Sequence, residues 1–287
     1  MNNELRTEEA CELLGEIKPL ARASLVAINE DRISDGHDIL RDLRGLVDSA
    51  KSNAIASSDD YRNDLWVIER YIDFLEKYGH LWKSILDQRF SKSWCLLQDS
   101  LDFLRSIKRF SHIDIHFFEN QLIELERTYP YNVFFSIGAT VEFFECSICG
   151  QDIDSQECPH MRGNLYGGEM AYAIAKNIVQ LDHIAMVAYP EDKRCVVSYE
   201  DNGEQFTLIR YVASLISSKK CRISDFGRLQ FSKRLRPNPD YRKLPRNERC
   251  FCGSGKKFKH CCIGKERIEG DHVDIVAESK CIEHAVD

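Results

Sequence analysis

Four cysteines near the end of the chain have the spacing of a metal site. Two thiols stand one residue apart, and after eight intervening residues two adjacent thiols follow, giving Cys250, Cys252, Cys261 and Cys262. Four soft ligands that a short loop brings together suit tetrahedral Zn²⁺. Gly253 and Gly255 allow the tight turn within that loop. The spacing therefore predicts a structural zinc site.

The lysines beside these cysteines are consistent with a bound metal ion. Four thiolates around one Zn²⁺ leave a net negative charge, which Lys256, Lys257 and Lys259 offset. The fourth ligand has one alternative, because His260 stands within the cluster and competes with Cys262.

The terminal cluster resembles the SEC-C zinc motif, named for the C-terminal tail of SecA, the motor ATPase of bacterial protein export. The family pattern is Cys-x-Cys-Gly-Ser-Gly, a Lys and an aromatic residue, then Cys followed by Cys or His. The four cysteines take the ligand positions and Phe258 the aromatic one, over about twenty residues. The resemblance implies a structural zinc knuckle that docks on partner proteins, which for SecA are an export chaperone and the ribosome. Similar knuckles end many unrelated bacterial proteins, so a motor is not implied.

A second cluster lies in the middle of the chain. Cys146 and Cys149 precede Gly150, the arrangement of a knuckle whose backbone amides bond to the sulfurs. Cys158 and His160 follow and complete a Cys₃His set. Such a closed set leaves no free coordination position, so we predict a second structural zinc.

The fourth ligand of the central site has alternatives in His183 and Cys195. A water in that place would make the zinc catalytic, but no Glu adjoins a ligand His as in deaminases and zincins. The run from Cys158 to Gly168 also resembles segments of uncharacterised bacterial zinc-binding proteins, and this resemblance implies zinc binding without a known activity.

Composition indicates a soluble cytoplasmic protein. The 287 residues include 12 cysteines and are 43% hydrophobic and 30% charged. The first residues lack the pattern of a secretory signal, and no apolar run approaches the roughly 18–20 residues that span a bilayer. Because thiols stay reduced in the cytoplasm, clustered cysteines there indicate metal rather than disulfides. We expect no membrane span.

The chain joins an acidic body to a basic tail. Residues 228–265 contain twelve Lys/Arg and two Asp/Glu, a net charge of +10, whereas the whole chain carries −7 and the remainder therefore −17. A protein partner is the preferred interpretation. Contact with RNA, DNA or the ribosome is the alternative, because basic residues interleaved with aromatic ones can track phosphates and stack on bases. The predicted contact residues are Lys233, Arg234, Arg236, Arg242, Lys243, Lys256, Lys257 and Lys259.

Apolar periodicity predicts helices in the first 130 residues, over 39–50, 61–78, 91–107 and 114–127. Amphipathic helices bury their stripes against one another, so a helical bundle follows. After Pro130, strands are predicted over 133–144, 183–189 and 194–199, and a helix over 206–217.

These elements predict an α+β protein that ends in a small zinc knuckle. Its predicted parts are a helical bundle (1–130), a zinc-ribbon-like α+β module (131–227), a basic linker (228–245), the SEC-C zinc knuckle (246–265) and a loose tail (266–287).

Enzyme motifs are weak in this sequence. The Arg-x(4–6)-His spacing of a small helical ribonuclease class occurs at Arg32/His37, Arg105/His112 and Arg109/His116, about as often as chance predicts. We therefore predict a non-enzymatic, zinc-stabilised interaction protein that uses its knuckle and helical domain to bind partners. A nucleic-acid- or ribosome-binding protein is the first alternative, and a ribonuclease-type toxin or defence protein with its site in the helical domain is the second.

Overall fold

Helices fill the N-terminal part of the structure, a computed structural model that describes residues 4–237, 245–250 and 254–277. Each helix has a buried apolar stripe. Ser58 caps the third helix, since its hydroxyl accepts a hydrogen bond from the Tyr61 N–H at 3.2 Å. Within the described ranges, none of the helices is long and apolar enough to cross a bilayer. The five N-terminal helices are α1 (Glu8–Asn29), α2 (Ile33–Asn53), α3 (Asp59–Leu86), α4 (Phe90–Phe110) and α5 (His116–Glu126).

Aromatic side chains of α3 and α5 form the centre of this helical region. The buried rings of Tyr78 and Phe118 pack edge to face, with 5.3 Å between their centroids. The Tyr78 hydroxyl donates a hydrogen bond to Gln121 Oε1 at 2.6 Å. The Gln121 amide in turn donates to the carbonyls of Ile223 at 2.8 Å and Phe226 at 2.6 Å. These bonds satisfy a buried amide and attach a much later segment to the helices.

The strands of the described chain pair as three two-stranded antiparallel sheets. They are β1 (Phe134–Cys146) with β4 (Ala173–Val187), β2 (Leu165–Tyr166) with β3 (Glu169–Met170), and β5 (Phe226–Pro237) with β6 (Arg267–Ala277). The remaining helical elements are α6 (Thr207–Ser217) and 3₁₀ helices at Glu204–Phe206, Ile223–Asp225 and Phe258–His260. The fold is α+β with an N-terminal helical region, as the sequence predicts.

Strands β1 and β4 form a long two-stranded sheet, here called the central ribbon. Its register runs from Phe134 opposite Val187 to Cys146 opposite Ala173, with two irregularities between. Phe134 is buried and stacks on Trp94 of α4, with 6.4 Å between ring centroids. This contact anchors one end of the ribbon to the helices, and the other end begins the central cysteine cluster.

The strand predicted over residues 194–199 is wrong, because that segment packs along α4. The indole Nε1–H of Trp94 donates to the carbonyl of Lys193 at 2.8 Å. The Cys195 carbonyl accepts a hydrogen bond from the Phe135 N–H at 2.8 Å, but residues 195–200 form no ladder. Polar contacts with α4 rather than pairing in a sheet hold this segment, in which Val197 and Tyr199 are exposed.

The predictions of a basic linker and a loose tail are wrong where strands β5 and β6 form. Residues 228–237 lie in β5 and residues 267–277 in β6. Leu229 and Val273 are buried in the same apolar core as the helices, and this burial holds both strands in place. Residues 238–244 and 278–287 of the two predicted segments lie outside the described residues. The domain boundaries stay predictions.

Candidate metal centres

The central cluster begins where β1 ends and the chain turns back. The Cys146 N–H donates to the Gln151 carbonyl at 2.7 Å, and the Gly150 N–H donates to the Cys146 carbonyl at 2.9 Å. Gly150 has a φ of +73°, a left-handed conformation that glycine adopts without a Cβ clash. This turn places Cys149 beside Cys146.

Four ligand atoms converge in the central cluster. The Sγ atoms of Cys146, Cys149 and Cys158 and a ring nitrogen of His160 all lie within 4.8 Å of one another. Cys149 Sγ is 3.6 Å from Cys158 Sγ, and His160 Nδ1 is 3.6 Å from Cys146 Sγ and 3.9 Å from Cys158 Sγ. Zn–S bonds of about 2.3 Å and Zn–N bonds of about 2.0 Å at tetrahedral angles separate ligand atoms by roughly 3.5–3.8 Å. The spacing fits one tetrahedral metal ion.

Two of these thiols have shifted pKa values, in opposite directions. Burial opposes ionisation of Cys146, but the amides of Cys149 and Ile148 outweigh that effect and lower the pKa of Cys146. The pKa of Cys158 is raised by burial and by the neighbouring thiols of Cys149 and Cys146. Three thiolates at these distances repel one another, and a divalent cation removes the repulsion.

Tyr166 supports the imidazole of His160 from outside the ligand set. The two rings pack edge to face with 4.7 Å between centroids. The Tyr166 hydroxyl accepts a hydrogen bond from the Met161 N–H at 2.8 Å, which fixes the phenol in place. A ring held in this way limits rotation of the ligand imidazole. Tyr166 lies in the run from Cys158 to Gly168 that the sequence analysis singled out, but the sequence did not predict its contact with His160.

The β2–β3 hairpin fixes the central cluster to the helices. The Gly168 N–H donates to Asn63 Oδ1 of α3 at 2.8 Å, and Arg109 of α4 donates to Asn164 Oδ1 at 2.9 Å. Gly168 has a φ of +90°, and a Cβ at this position would lie 3.1 Å from the Arg62 carbonyl oxygen. Glycine therefore permits the close approach of the hairpin to α3.

The alternative fourth ligands lie away from the central cluster. His183 is opposite Gly138 in the middle of the ribbon, and its ring covers that glycine. Cys195 is exposed beside Phe135, at the opposite end of the ribbon from Cys146. His160 is thus the imidazole that the structure places with the three thiols, although the ligand assignment itself stays a prediction.

The terminal cluster brings together three of its four predicted ligands. The Sγ atoms of Cys250, Cys261 and Cys262 lie within 4.8 Å of one another, and those of Cys261 and Cys262 are 3.7 Å apart. That distance matches the roughly 3.8 Å expected for two sulfurs on one tetrahedral zinc. Cys252 lies outside the described residues. His260, the alternative ligand, is exposed and is not part of this group.

Backbone bonds and one buried ring hold the terminal cluster together. The Cys250 N–H donates to the Lys256 carbonyl, and the Phe258 N–H donates to the Glu248 carbonyl, both at 2.8 Å. Phe258 is buried among the cysteines with Ile268 of β6. So small an apolar cluster adds little stability by itself.

Two of the predicted basic contact residues lie on β5 opposite acids of β6. Lys233 is across from Asp271 in the register, and Arg234 forms an ion pair with Asp274 at 2.7 Å. The backbone of Arg236 pairs with Ile268. The charge of β5 is therefore partly balanced within its own sheet.

The remaining predicted basic contacts lie in or before the knuckle. Lys256 and Lys257 are exposed and Lys259 is half-buried, whereas Arg242 and Lys243 lie outside the described residues. Between these lysines the ring of Phe258 is buried and offers no face for stacking. The knuckle thus presents positive charge without an aromatic platform at that position.

The arginines of the ribonuclease-like spacings are bonded to other residues. Arg32 pairs with Glu30 at 2.7 Å and with Asp35 at 2.8 Å. Arg105 pairs with Asp102, and Arg109 bonds to Asn164 as described above. In none of the three Arg/His pairs do these contacts direct the arginine towards its histidine in a common active-site arrangement.

His37 instead lies against a second histidine, His80, with 4.1 Å between ring centroids. Burial lowers the pKa of both imidazoles and so favours their neutral forms. They line a cavity of about 450 Å³ together with the cationic side chains of Lys77, Lys83, Arg89 and Lys92. Sequence reasoning missed this pair because His37 and His80 are far apart in the chain.

Comparison with known proteins agrees with the terminal geometry. Residues 246–263 match the SEC-C motif, a metal-binding motif. None of the curated proteins and none of the solved structures matches the chain. The chain therefore carries a metal-binding SEC-C motif at its C-terminal end, and its two cysteine clusters have the composition of metal sites.

Proposed function

We propose that this chain is a non-enzymatic interaction protein stabilised by two structural zinc ions. The observation that carries the proposal is the convergence of three thiols and one imidazole at tetrahedral spacing in the central cluster. Thiolate-rich sets prefer Zn²⁺ over harder cations, and four protein ligands leave no position for substrate. The central zinc would fix the β2–β3 hairpin to α3 and α4, and the terminal zinc would fold the knuckle.

The knuckle is the proposed contact surface, and its preferred partner is an acidic protein segment. Lys256 and Lys257 are exposed on a knuckle whose backbone the metal would hold rigid, so a partner would order little new structure. The acids of β6 and the buried ring of Phe258 weaken the alternative of RNA, DNA or ribosome contact, which relies on an unbroken basic stripe and stacking.

Binding of two labelled probes tests this surface on the full-length protein. One probe is a peptide of alternating Glu and Leu, and the other is a single-stranded RNA of about 20 nucleotides. The proposal expects the peptide to bind at low salt and the variant Lys256→Glu/Lys257→Glu to lose that binding while retaining its zinc. A matched control, Lys219→Glu/Lys220→Glu after α6, should bind normally. Binding of RNA alone would overturn the choice of partner.

A nuclease with its site in the helical domain is the second candidate, favoured by the His37–His80 cavity. One imidazole in its neutral form could accept the proton of an attacking hydroxyl, and the other in its protonated form could return a proton to the leaving oxygen, beside cationic side chains that would bind the phosphate. Purified protein would then cleave RNA, and the variants His37→Asn and His80→Asn would not. Equal residual activity in the wild type and in both variants would reject this candidate.

A further inference from the structure

One face of the central ribbon is apolar and open to solvent. Along β1 the alternate residues Phe135, Ile137, Ala139, Val141 and Phe143 share a face. The partners directly opposite the first four of them on β4 are Met186, Ile184, Leu181 and Ile178. Five of these side chains have exposed fractions above three-fifths: Ile137 65%, Ile178 62%, Leu181 69%, Ile184 72% and Met186 74%. We call this surface the apolar face of the ribbon.

The opposite face of the same ribbon is polar. Thr140 donates a hydrogen bond to Asp182, which also accepts one from Gln180. Nearer the metal cluster, Asn177 donates to Glu142 at 2.6 Å. A ribbon that solvent surrounds on both sides has no reason to separate polar from apolar residues in this way. The pattern is that of a sheet with one face covered.

We propose that a second copy of this chain covers the apolar face, in a two-fold dimer in which the two ribbons stack face to face. Between Phe135 and Val141 this face carries no charge on either strand, so it lacks the groups with which a charged partner would be recognised. A two-fold axis through the ribbon brings the same apolar rows together from both copies. This inference goes beyond the proposed zinc and knuckle functions and does not depend on them.

The size of the face, about 1,000 Å² for two copies, is at the minimum expected of a specific interface and so indicates a dimer that dissociates on dilution. A largely exposed aliphatic side chain offers roughly 100 Å², so the five residues supply about 500 Å² per copy, near the ~600 Å² at the lower limit of specific interfaces. Face-to-face stacking is preferred to edge-to-edge pairing, because irregularities at Asp182 and Val179 interrupt the β4 edge. A two-stranded sheet also gains stability when its apolar face is covered.

Analytical ultracentrifugation of the full-length protein between about 1 and 200 µM tests this assignment. The wild type should sediment as a dimer that dissociates on dilution. Leu181→Thr/Ile184→Thr keeps β-forming side chains, and we expect at least a tenfold rise in the dissociation constant. Leu181→Lys/Ile184→Lys places like charges against each other in a two-fold dimer and should be monomeric throughout.

The control Ser136→Asp/Gln180→Lys changes two exposed residues of the polar face and should dimerise like the wild type. Circular dichroism and thermal unfolding verify that every variant is folded. A wild type that stays monomeric at 200 µM overturns the proposal. Dimers that survive both apolar-face variants, or that only the control disrupts, overturn it as well.

Discussion

The ring of Tyr166 lies edge-on to the ring of His160, with 4.7 Å between their centroids. This contact links a candidate metal ligand to the β2–β3 hairpin, and the hairpin is bonded to α3 through Gly168 and Asn63. The metal cluster and the helical region are therefore mechanically connected. Metal binding at the central cluster should therefore stabilise the helical region as well as the cluster itself.

Tyr166→Ala should weaken metal binding at the central site by about 10–100-fold, because the ligand imidazole loses its packing partner. Tyr166→Phe should cause a smaller loss, since it removes only the hydrogen bond from Met161. Competition with a chromophoric chelator measures both affinities. Tyr189→Ala, at a tyrosine that is 97% exposed, is the matched control. Equal affinity for wild type and Tyr166→Ala would exclude a supporting role.

Gly168→Ala should destabilise the protein by roughly 1–3 kcal/mol, because the residue has a φ of +90° and its Cβ would approach the Arg62 carbonyl oxygen. Thermal unfolding measures the change. Gly15→Ala is the contrasting control: Gly15 lies inside α1 with open space around it, so alanine should be neutral or stabilising there. A Gly168→Ala protein as stable as the wild type would contradict the close approach of hairpin and helix.

Gln121→Leu should lower the free energy of unfolding by several kcal/mol. It leaves the Tyr78 hydroxyl and the carbonyls of Ile223 and Phe226 without their partner, at about 1–3 kcal/mol for each buried group. Tyr78→Phe removes one of the three bonds and should cost about 1 kcal/mol. Urea unfolding monitored by tryptophan fluorescence distinguishes the two. Similar midpoints for Gln121→Leu and wild type would show that the later segment is not held by this amide.

The stability of the helical region should fall as pH falls below about 6.5. Burial lowers the pKa of His37 and His80, so the unfolded chain binds protons more readily than the folded one in this range. The free energy of unfolding therefore declines from pH 6.5 towards the lower pKa values of the folded state. His37→Gln should flatten this part of the profile. The same slope in the variant would assign the pH dependence to other groups.

Much of this architecture could be read from local patterns, and the reasons for the exceptions are physical. Helices α2 to α6 follow from apolar spacing, and β1 and the end of β4 from their β-branched and aromatic residues, whereas α1 and the first part of β4 were not predicted. Leu229 was not predicted as a strand residue because its segment is basic and contains Pro237, and Val273 was not predicted because its segment is polar. Burial against distant helices stabilises both strands. Propensity competes with tertiary contacts, and here the tertiary contacts decided the outcome.

At the candidate metal sites too, local features could be predicted from the sequence and long-range contacts could not. Cysteine spacing predicted which thiols belong together, because a knuckle is a local structure. The contact of Gly168 with Asn63 joins residues whose proximity depends on the whole fold, whereas His160 and Tyr166, whose rings meet, are only six residues apart. The His37–His80 pair likewise depends on how α2 packs against α3.

The metal content of the purified full-length protein tests the central claim most directly. Inductively coupled plasma mass spectrometry should find two zinc ions per chain. It should find one in Cys146→Ser/Cys158→Ser and one in Cys261→Ser/Cys262→Ser, with the remaining site intact in each. Wild-type protein that is folded and carries no zinc, or variants that keep both ions, would contradict the account.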